Sequence, residues 1–303
     1  MLSICISDKG LMVVDASLKN KKMVVKKFAR AITDACDMGP DGFKDFNAAR
    51  DSLVELITDF GIKKKGAKAY VTIDSASIVF DDILVPEKDS HKANVDLKQY
   101  MARYGAKASA YVADYRLNGH VKVDGKNMSD VSVIFVYGKV IADIARLMKS
   151  VNITPVAMDV AQNSSLKIIS KCIMDKTCKF DNEFVLFDFK GDFITLYLYQ
   201  NGVKMHTENF PMNEKPETKK YFMELKSKLD VIMDVADKEE LTPTNIYVTG
   251  EIMQIKWALQ KLANVMGINI NQLPRPKKVV EGVTNLEFNE YYAPIGTLLR
   301  SIK

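Results

Sequence analysis

The sequence has no apolar run approaching the roughly 18–20 residues that span a bilayer, and its first residues enter a strand pattern rather than a secretory leader. It holds only four cysteines (Cys5, Cys36, Cys172, Cys178) and three histidines (His91, His120, His206). The cysteines have no CxxC spacing and no His-rich neighbourhood, which argues against a zinc site or a disulfide framework and leaves buried or idle thiols. The histidines fall on a predicted helix, turn and strand, with no HExxH spacing and no nucleophile pattern beside them. There is no low-complexity tract and no RNP or zinc-finger signature of a nucleic-acid binder. Cytoplasmic location, no membrane insertion, no metal and no nucleic-acid partner are the expectations.

What is present is a chain of 303 residues, 47% hydrophobic and 27% charged, long enough for two cores of ordinary domain size. Its charge is uneven. Residues 1–30 carry Lys9, Lys19, Lys21, Lys22, Lys26, Lys27 and Arg30 against Asp8 and Asp15, which accounts for the net charge of +5 of the whole chain. Lysines on a hairpin edge discourage edge-to-edge pairing; the same cluster also suits an anionic lipid or an acidic partner.

Alternation and turn residues give a strand triplet near 2–7, 11–18 and 22–31, with turns at Asp8-Lys9-Gly10 and Lys19-Asn20-Lys21. A one-face apolar period predicts a helix near 43–60, closed by Gly61 and the lysines after it. Residues 67–137 read as a compact strand–helix–strand–strand unit: "KAYVTID" and "SIVFDDILV", a polar helix near 89–104, "AYVADYRLNG" with a turn at Asn118-Gly119, then "VSVIFVYG". Helices at 138–151 and about 161–173 flank the strand "ITPVAMDV". A second triplet follows near 183–189, 193–200 and 203–210, with turns at Lys190-Gly191 and Asn201-Gly202. Then come a helix at 216–236, the strand of "TNIYVTG", a helix, a short strand and a terminal helix. The Tyr291-Tyr292 pair reads as packing or as a cap on a cleft. The repeat of triplet, helix, strand, helix, strand predicts two α/β halves whose first turns face one another.

That layout is the one used by actin, sugar kinases and heat-shock chaperones. Within it the chain resembles the PilM-type type IV pilus assembly proteins, relatives of the cell-division protein FtsA. The resemblance rests on the order and spacing of "LSICISDKGLMVVD", "IVFDDILVPEKD", "VNITPVAMDVAQNSSLKII", "LFDFKGDFITLYLYQNG", "IYVTGEIMQI" and "YYAPIGTLLRSI". It implies an actin-like (ribonuclease H-like) duplicated α/β fold, two lobes around a cleft. Residues 1–66 and 138–178 would form the first lobe, 67–137 an inserted subdomain and 179–303 the second lobe. FtsA ends in an amphipathic membrane helix; the stop at Lys303 without one favours the pilus side.

The resemblance also sets expectations for the cleft. The family's first phosphate turn reads Asp-x-Gly, then small residues and a lysine; those positions are Cys5, Ser7 and Met12 here, with Asp8, Lys9 and Gly10 beside them. The second turn keeps Asp188, but Lys190 replaces its glycine, with Gly191 and Asp192 next. A glycine-rich adenosine run has become Gly250-Glu251-Ile252, where a carboxylate and a β-branched side chain oppose a nucleotide. Two readings follow. Lys9 and Lys190 replace the metal's charge and hold a nucleotide, or the turns are vestigial and Lys190 pairs with Asp188, Asp192 or Glu251. The second makes the chain a pseudo-ATPase needing no cofactor.

The implied function is then a non-catalytic scaffold of a type IV pilus, or related secretion or competence, machine. Its partners would be the cytoplasmic tail of a PilN-like membrane protein and the pilus motor ATPase complex, at the inner face of the cell membrane, with a homo-oligomer as a further expectation. The tail is expected where the insert meets the first lobe, near Val79, Phe80, Leu84, Val112, Asp114, Tyr115, Asp159 and Asn163. The alternatives are a working ATP-binding or ATP-hydrolysing actin-like protein (with Mg-ATP) that switches or polymerises, and an FtsA-like protein attached to membrane through its basic hairpin.

Overall fold

The chain has a computed structural model that describes residues 1–61, 66–86, 109–174, 180–190, 193–215, 218–254, 257–283 and 286–301. The first triplet is β1 (Leu2–Ser7), β2 (Gly10–Lys19) and β3 (Lys22–Ile32). Two short strands, β4 (Met38–Gly39) and β5 (Gly42–Phe43), lead into α1 (Phe46–Phe60). That helix starts later than its apolar period suggests, because residues 38–43 pair as a small hairpin and Asp45 accepts the Ala48 N–H as N-cap. Gly61 closes it in the left-handed region, at φ 69°.

β6 (Ala67–Asp74) runs parallel to β1, and β10 (Ile153–Val160) runs parallel to β6. Between them in sequence lie β7 (Val79–Pro86), β8 (Tyr111–Val123), β9 (Lys126–Tyr137) and α2 (Gly138–Ser150). After β10 comes α3 (Ala161–Met174). The second triplet is β11 (Glu183–Lys190), β12 (Phe193–Gln200) and β13 (Val203–Pro211), followed by α4 (Lys219–Lys238) and β14 (Asn245–Gly250). A 3₁₀ turn (Glu251–Gln254), α5 (Ala258–Met266), β15 (Asn269–Gln272), β16 (Val279–Glu281), α6 (Tyr292–Leu298) and a last 3₁₀ turn (Leu299–Ser301) complete the order.

The duplication is explicit in the sheets. The first runs β3-β2-β1-β6-β10 and the second β13-β12-β11-β14-β15, the same order twice. β1 and β11 are buried on both faces, so their alternation sorts residues between two cores. Leu2, Ile4 and Ile6 pack with α1 and α2 on one side, while Cys5 packs with α3 and α6 on the other. Likewise Val185, Phe187 and Phe189 meet α4 and α5, while Phe184 and Leu186 join the same α3–α6 core as Cys5. α3 and α6 therefore fill the space between the lobes. They cross closely at Gly296, where a Cβ would lie 2.6 Å from Ser164 Cβ and 2.7 Å from its carbonyl oxygen. The Thr297 hydroxyl sits 2.7 Å from that of Thr72 and 2.9 Å from that of Ser164, tying β6, α3 and α6 together.

Three boundaries differ from the sequence reading. β6 belongs to the first lobe's sheet, not to the insert, whose own sheet is β7-β9-β8 around Val131, Val133 and Phe135. Asn118-Gly119 is not a turn: β8 runs through it with a register shift between Leu117 and Gly119, and the hairpin turns at Asp124-Gly125, at φ 50° and 76°. β16 leaves the second half of the chain to pair with β3 in the first sheet. The expected helix near 89–104 lies outside the described residues.

Candidate functional site

The two-residue period that sorts the cores also builds the cleft floor. Asp188 and Lys190 are two apart on β11, so both side chains emerge on the face turned toward the first lobe. β1 and β6 are parallel neighbours with Ser7 opposite Asp74, which sets Asp74 at the matching strand end of that lobe. There the halves meet. The Lys190 ammonium lies 3.0 Å from Asp74 Oδ1 and 3.3 Å from Asp188 Oδ2, with its side chain only 3% exposed. These contacts are ion pairs rather than directed hydrogen bonds. Tyr292, at the start of α6, donates its hydroxyl to Asp188 Oδ1 at 2.5 Å.

Burial pushes the Asp188 carboxyl up to about 6, against the pull of the Lys190 charge; Asp74 adds to the rise. Lys190 is held above its ordinary value, because attraction to Asp188 and Asp74 outweighs the cost of burying the ammonium. The Cys5 thiol is pushed well up, first by burial and then by the Asp74 charge.

The predicted cleft residues that the structure describes each have a place. Cys5 is fully buried in the inter-lobe core, and Met12 packs against the same core. The Ser7 hydroxyl donates to the Gly10 carbonyl at 3.1 Å, inside its own turn. Asp8 turns away from the floor: its carboxylate accepts the Ala76 N–H at 2.8 Å and the Met38 N–H at 3.2 Å, pinning two loops. Burial pushes its carboxyl up to about 6 despite those donors. Gly10 is required by packing, since a Cβ there would run into the Ala31 carbonyl. Lys9 is half-buried in the turn, and its backbone carbonyl accepts the Thr33 N–H at 3.1 Å.

At the adenosine end, Gly250 takes φ 88° and a Cβ would collide with the Phe189 backbone. Its N–H donates to the Asn289 carbonyl at 3.1 Å, and the Thr249 hydroxyl donates to the same oxygen at 3.3 Å. Glu251 opens the 3₁₀ turn beyond it. Gly191 and Asp192 lie outside the described residues. Sequence reasoning missed Asp74 and Asn289. The signal for Asp74 was a lone carboxylate ending the buried strand "AYVTID"; Asn289 had none. Among the described residues, no cluster of three or more His, Cys, Asp or Glu is arranged to hold a metal ion.

The predicted partner surface divides. Asp114 and Tyr115 on β8 face Asp159 on β10 and Asn163 on α3 across a groove of about 620 Å³, with Arg116 and Lys167 on its rim, continued by a pit of about 150 Å³ that Val112 lines. Ile73, Val136 and Ile141 line the pit. Asp159 organises the groove: it accepts from the Asn163 amide at 2.8 Å, pairs with Lys167, and lies 3.9 Å from Arg300. Phe80 lines a small hollow with Lys204 that shares Asn163 and Leu166 with the groove. Val79 packs into the insert's own core and Leu84 stands exposed on β7; neither lines the groove. Lys204 of β13 meets Asp82 of β7 at 3.1 Å, so the insert also touches the second lobe. No helix among the described residues is long and apolar enough to cross a membrane.

Two like-ordered sheets enclosing α3 and α6, with a small sheet inserted in the first, define an actin-like α/β fold. The same fold occurs in a Bacteroides thetaiotaomicron protein described as having an actin-like ATPase fold and unknown function, at TM-score 0.51 and 11% identity over 89% of both chains. A chain of the PilM–PilN type IV pilus biogenesis complex superimposes at TM-score 0.77 and 16% identity, covering 100% of this chain and 98% of that one. The cytoplasmic domain of EpsL, an inner membrane component of the type II secretion system of Vibrio cholerae, matches at TM-score 0.51 and 9% identity, covering 100% and 99%. At these identities the likeness establishes the fold, including the PilM-type arrangement expected from the sequence. No protein-family model matches the sequence. No curated protein matches it either.

Proposed function

We propose that the protein is a non-catalytic scaffold of a type IV pilus or related secretion assembly, holding the cytoplasmic tail of a PilN-like membrane protein. One observation carries the non-catalytic part: a lysine ammonium is buried between Asp74 and Asp188 at the floor where an actin-like protein grips magnesium and phosphate. The residues present do not fit that ligand. Both Asp188 oxygens are engaged, one by Tyr292 and one by Lys190, and the Gly250 N–H is spent on Asn289. A metal would have to displace a cation already paired at low dielectric. The pilus part draws on full-length likeness to a chain whose complex includes PilN.

The groove between β8, β10 and α3 suits an extended peptide with an apolar anchor for the pit. Location at the inner face of the membrane, contact with a motor ATPase complex and self-association belong to the same proposal. Two titrations test it. Millimolar Mg-ATP should leave the melting temperature unchanged, since only a ligand bound to the folded state raises it; a saturable rise would favour the working-ATPase alternative. Calorimetry with a PilN-type tail peptide should give binding that Val112→Glu weakens at least tenfold. Binding untouched by that change would remove the peptide from the groove.

A further inference from the structure

The opposite end of the first sheet carries a different surface. β2 runs ten residues from Gly10 at the cleft to Lys19, so the β2–β3 turn lies about 30 Å from the floor. Asn20 and Lys21 form that turn at φ 49° and 59°. Two distant segments join it. The Met23 N–H donates to the Lys278 carbonyl at 2.6 Å, which places Lys277 and Lys278 beside Lys22. The Cys172 thiol lies 3.5 Å from the Pro274 carbonyl, which brings the end of α3, with Ile173 and Met174, to the same side.

This end exposes Lys19, Lys21, Lys22, Lys26 and Lys277, none of which has an ion-pair partner among the described residues. Among the described residues, Glu281 pairs with Arg275, and Asp15 lies 3.4 Å from the Met1 amino group. Two large apolar side chains are exposed on this side, Leu18 next to Lys19 at 49% and Met174 at the end of α3 at 72%.

We propose that this end docks on an anionic lipid bilayer, with the lysines over headgroup phosphates and Leu18 and Met174 at the headgroup boundary. The side-chain chemistry favours lipid over other anions. These cations are lysines, hydrated point charges suited to a diffuse negative surface; arginine would supply the planar fork that reads one phosphate or carboxylate. No aromatic residue stands among 17–22, 173–174 or 277–278 to stack a nucleic-acid base. The proposal does not rest on the pilus reading.

The test is co-sedimentation of the full chain with phosphatidylcholine vesicles, with and without phosphatidylglycerol. Binding should require phosphatidylglycerol and fade as salt rises from about 0.1 M to 1 M, where the screening length falls from about 10 Å to 3 Å. Each lysine should account for about fivefold in partitioning, so Lys19→Glu/Lys22→Glu/Lys277→Glu should lose about a hundredfold or more with an unchanged melting temperature. Leu18→Ser should weaken binding severalfold and keep the salt dependence. Equal binding to phosphatidylcholine alone, or full binding by the triple variant, overturns the proposal. So does tighter binding to polyglutamate or single-stranded DNA than to the anionic vesicles at equal salt.

Discussion

Lys190 stands between two carboxylates from different lobes, in a place from which water is excluded. A buried pair is weak evidence of net stability, but breaking one leaves an uncompensated charge. Lys190→Met is therefore expected to lose about 3–5 kcal/mol in urea unfolding, and adding Asp74→Asn to recover part of it. The pH dependence has a defined sign. Folded Asp188 titrates at about 6, above the roughly 3.9 of an unfolded aspartate, so the native state holds its proton more tightly. Its ionisation thus costs stability progressively as pH rises from about 4 to about 6. Asp188→Asn should flatten that part of the profile by on the order of 2–3 kcal/mol, read as unfolding free energy at pH 4 against pH 7. At this scale the sequence singled out Asp188 and Lys190 through the resemblance of their turn to a phosphate turn. It did not reveal Asp74, whose partner stands on the other lobe.

Among the elements, strands and caps were legible because their signals are local. β11 and β12 follow an apolar run bounded by turn residues, and Gly61 closes α1; the Thr218 cap of α4, which accepts the Tyr221 N–H at 3.1 Å, was missed, and the helix starts at Lys219 rather than at 216. Asn118-Gly119 misled for the same reason: a strong local turn signal yielded to a strand with twelve residues laddered to β9. The α3–α6 crossing is the contact on which both lobes depend. Gly296→Ala would push a methyl into the Ser164 backbone, and a loss of about 1–3 kcal/mol is expected in thermal or urea unfolding, with both lobes melting together. Separate melting of the two lobes would contradict the shared core.

For the whole molecule, duplication creates two equivalent strand ends, and what sits between them sets the behaviour. Here an ammonium closes the floor, while the groove of the insert and the basic far end are the surfaces proposed for a peptide and a bilayer. Nucleotide, peptide and vesicle titrations address these three places separately, so one result does not prejudge another. Periodicity, turn residues and charge placement by themselves determined the two strand triplets, their helices and the lysine-rich hairpin, since each depends on neighbours a few residues away. Only the tertiary structure decided that Asp74 would meet Lys190, that Lys277 would join the hairpin, and that β6 and β16 would enter the first sheet. Those pairings bring together groups from distant chain segments, and they depend on how the sheets and the helices between them pack.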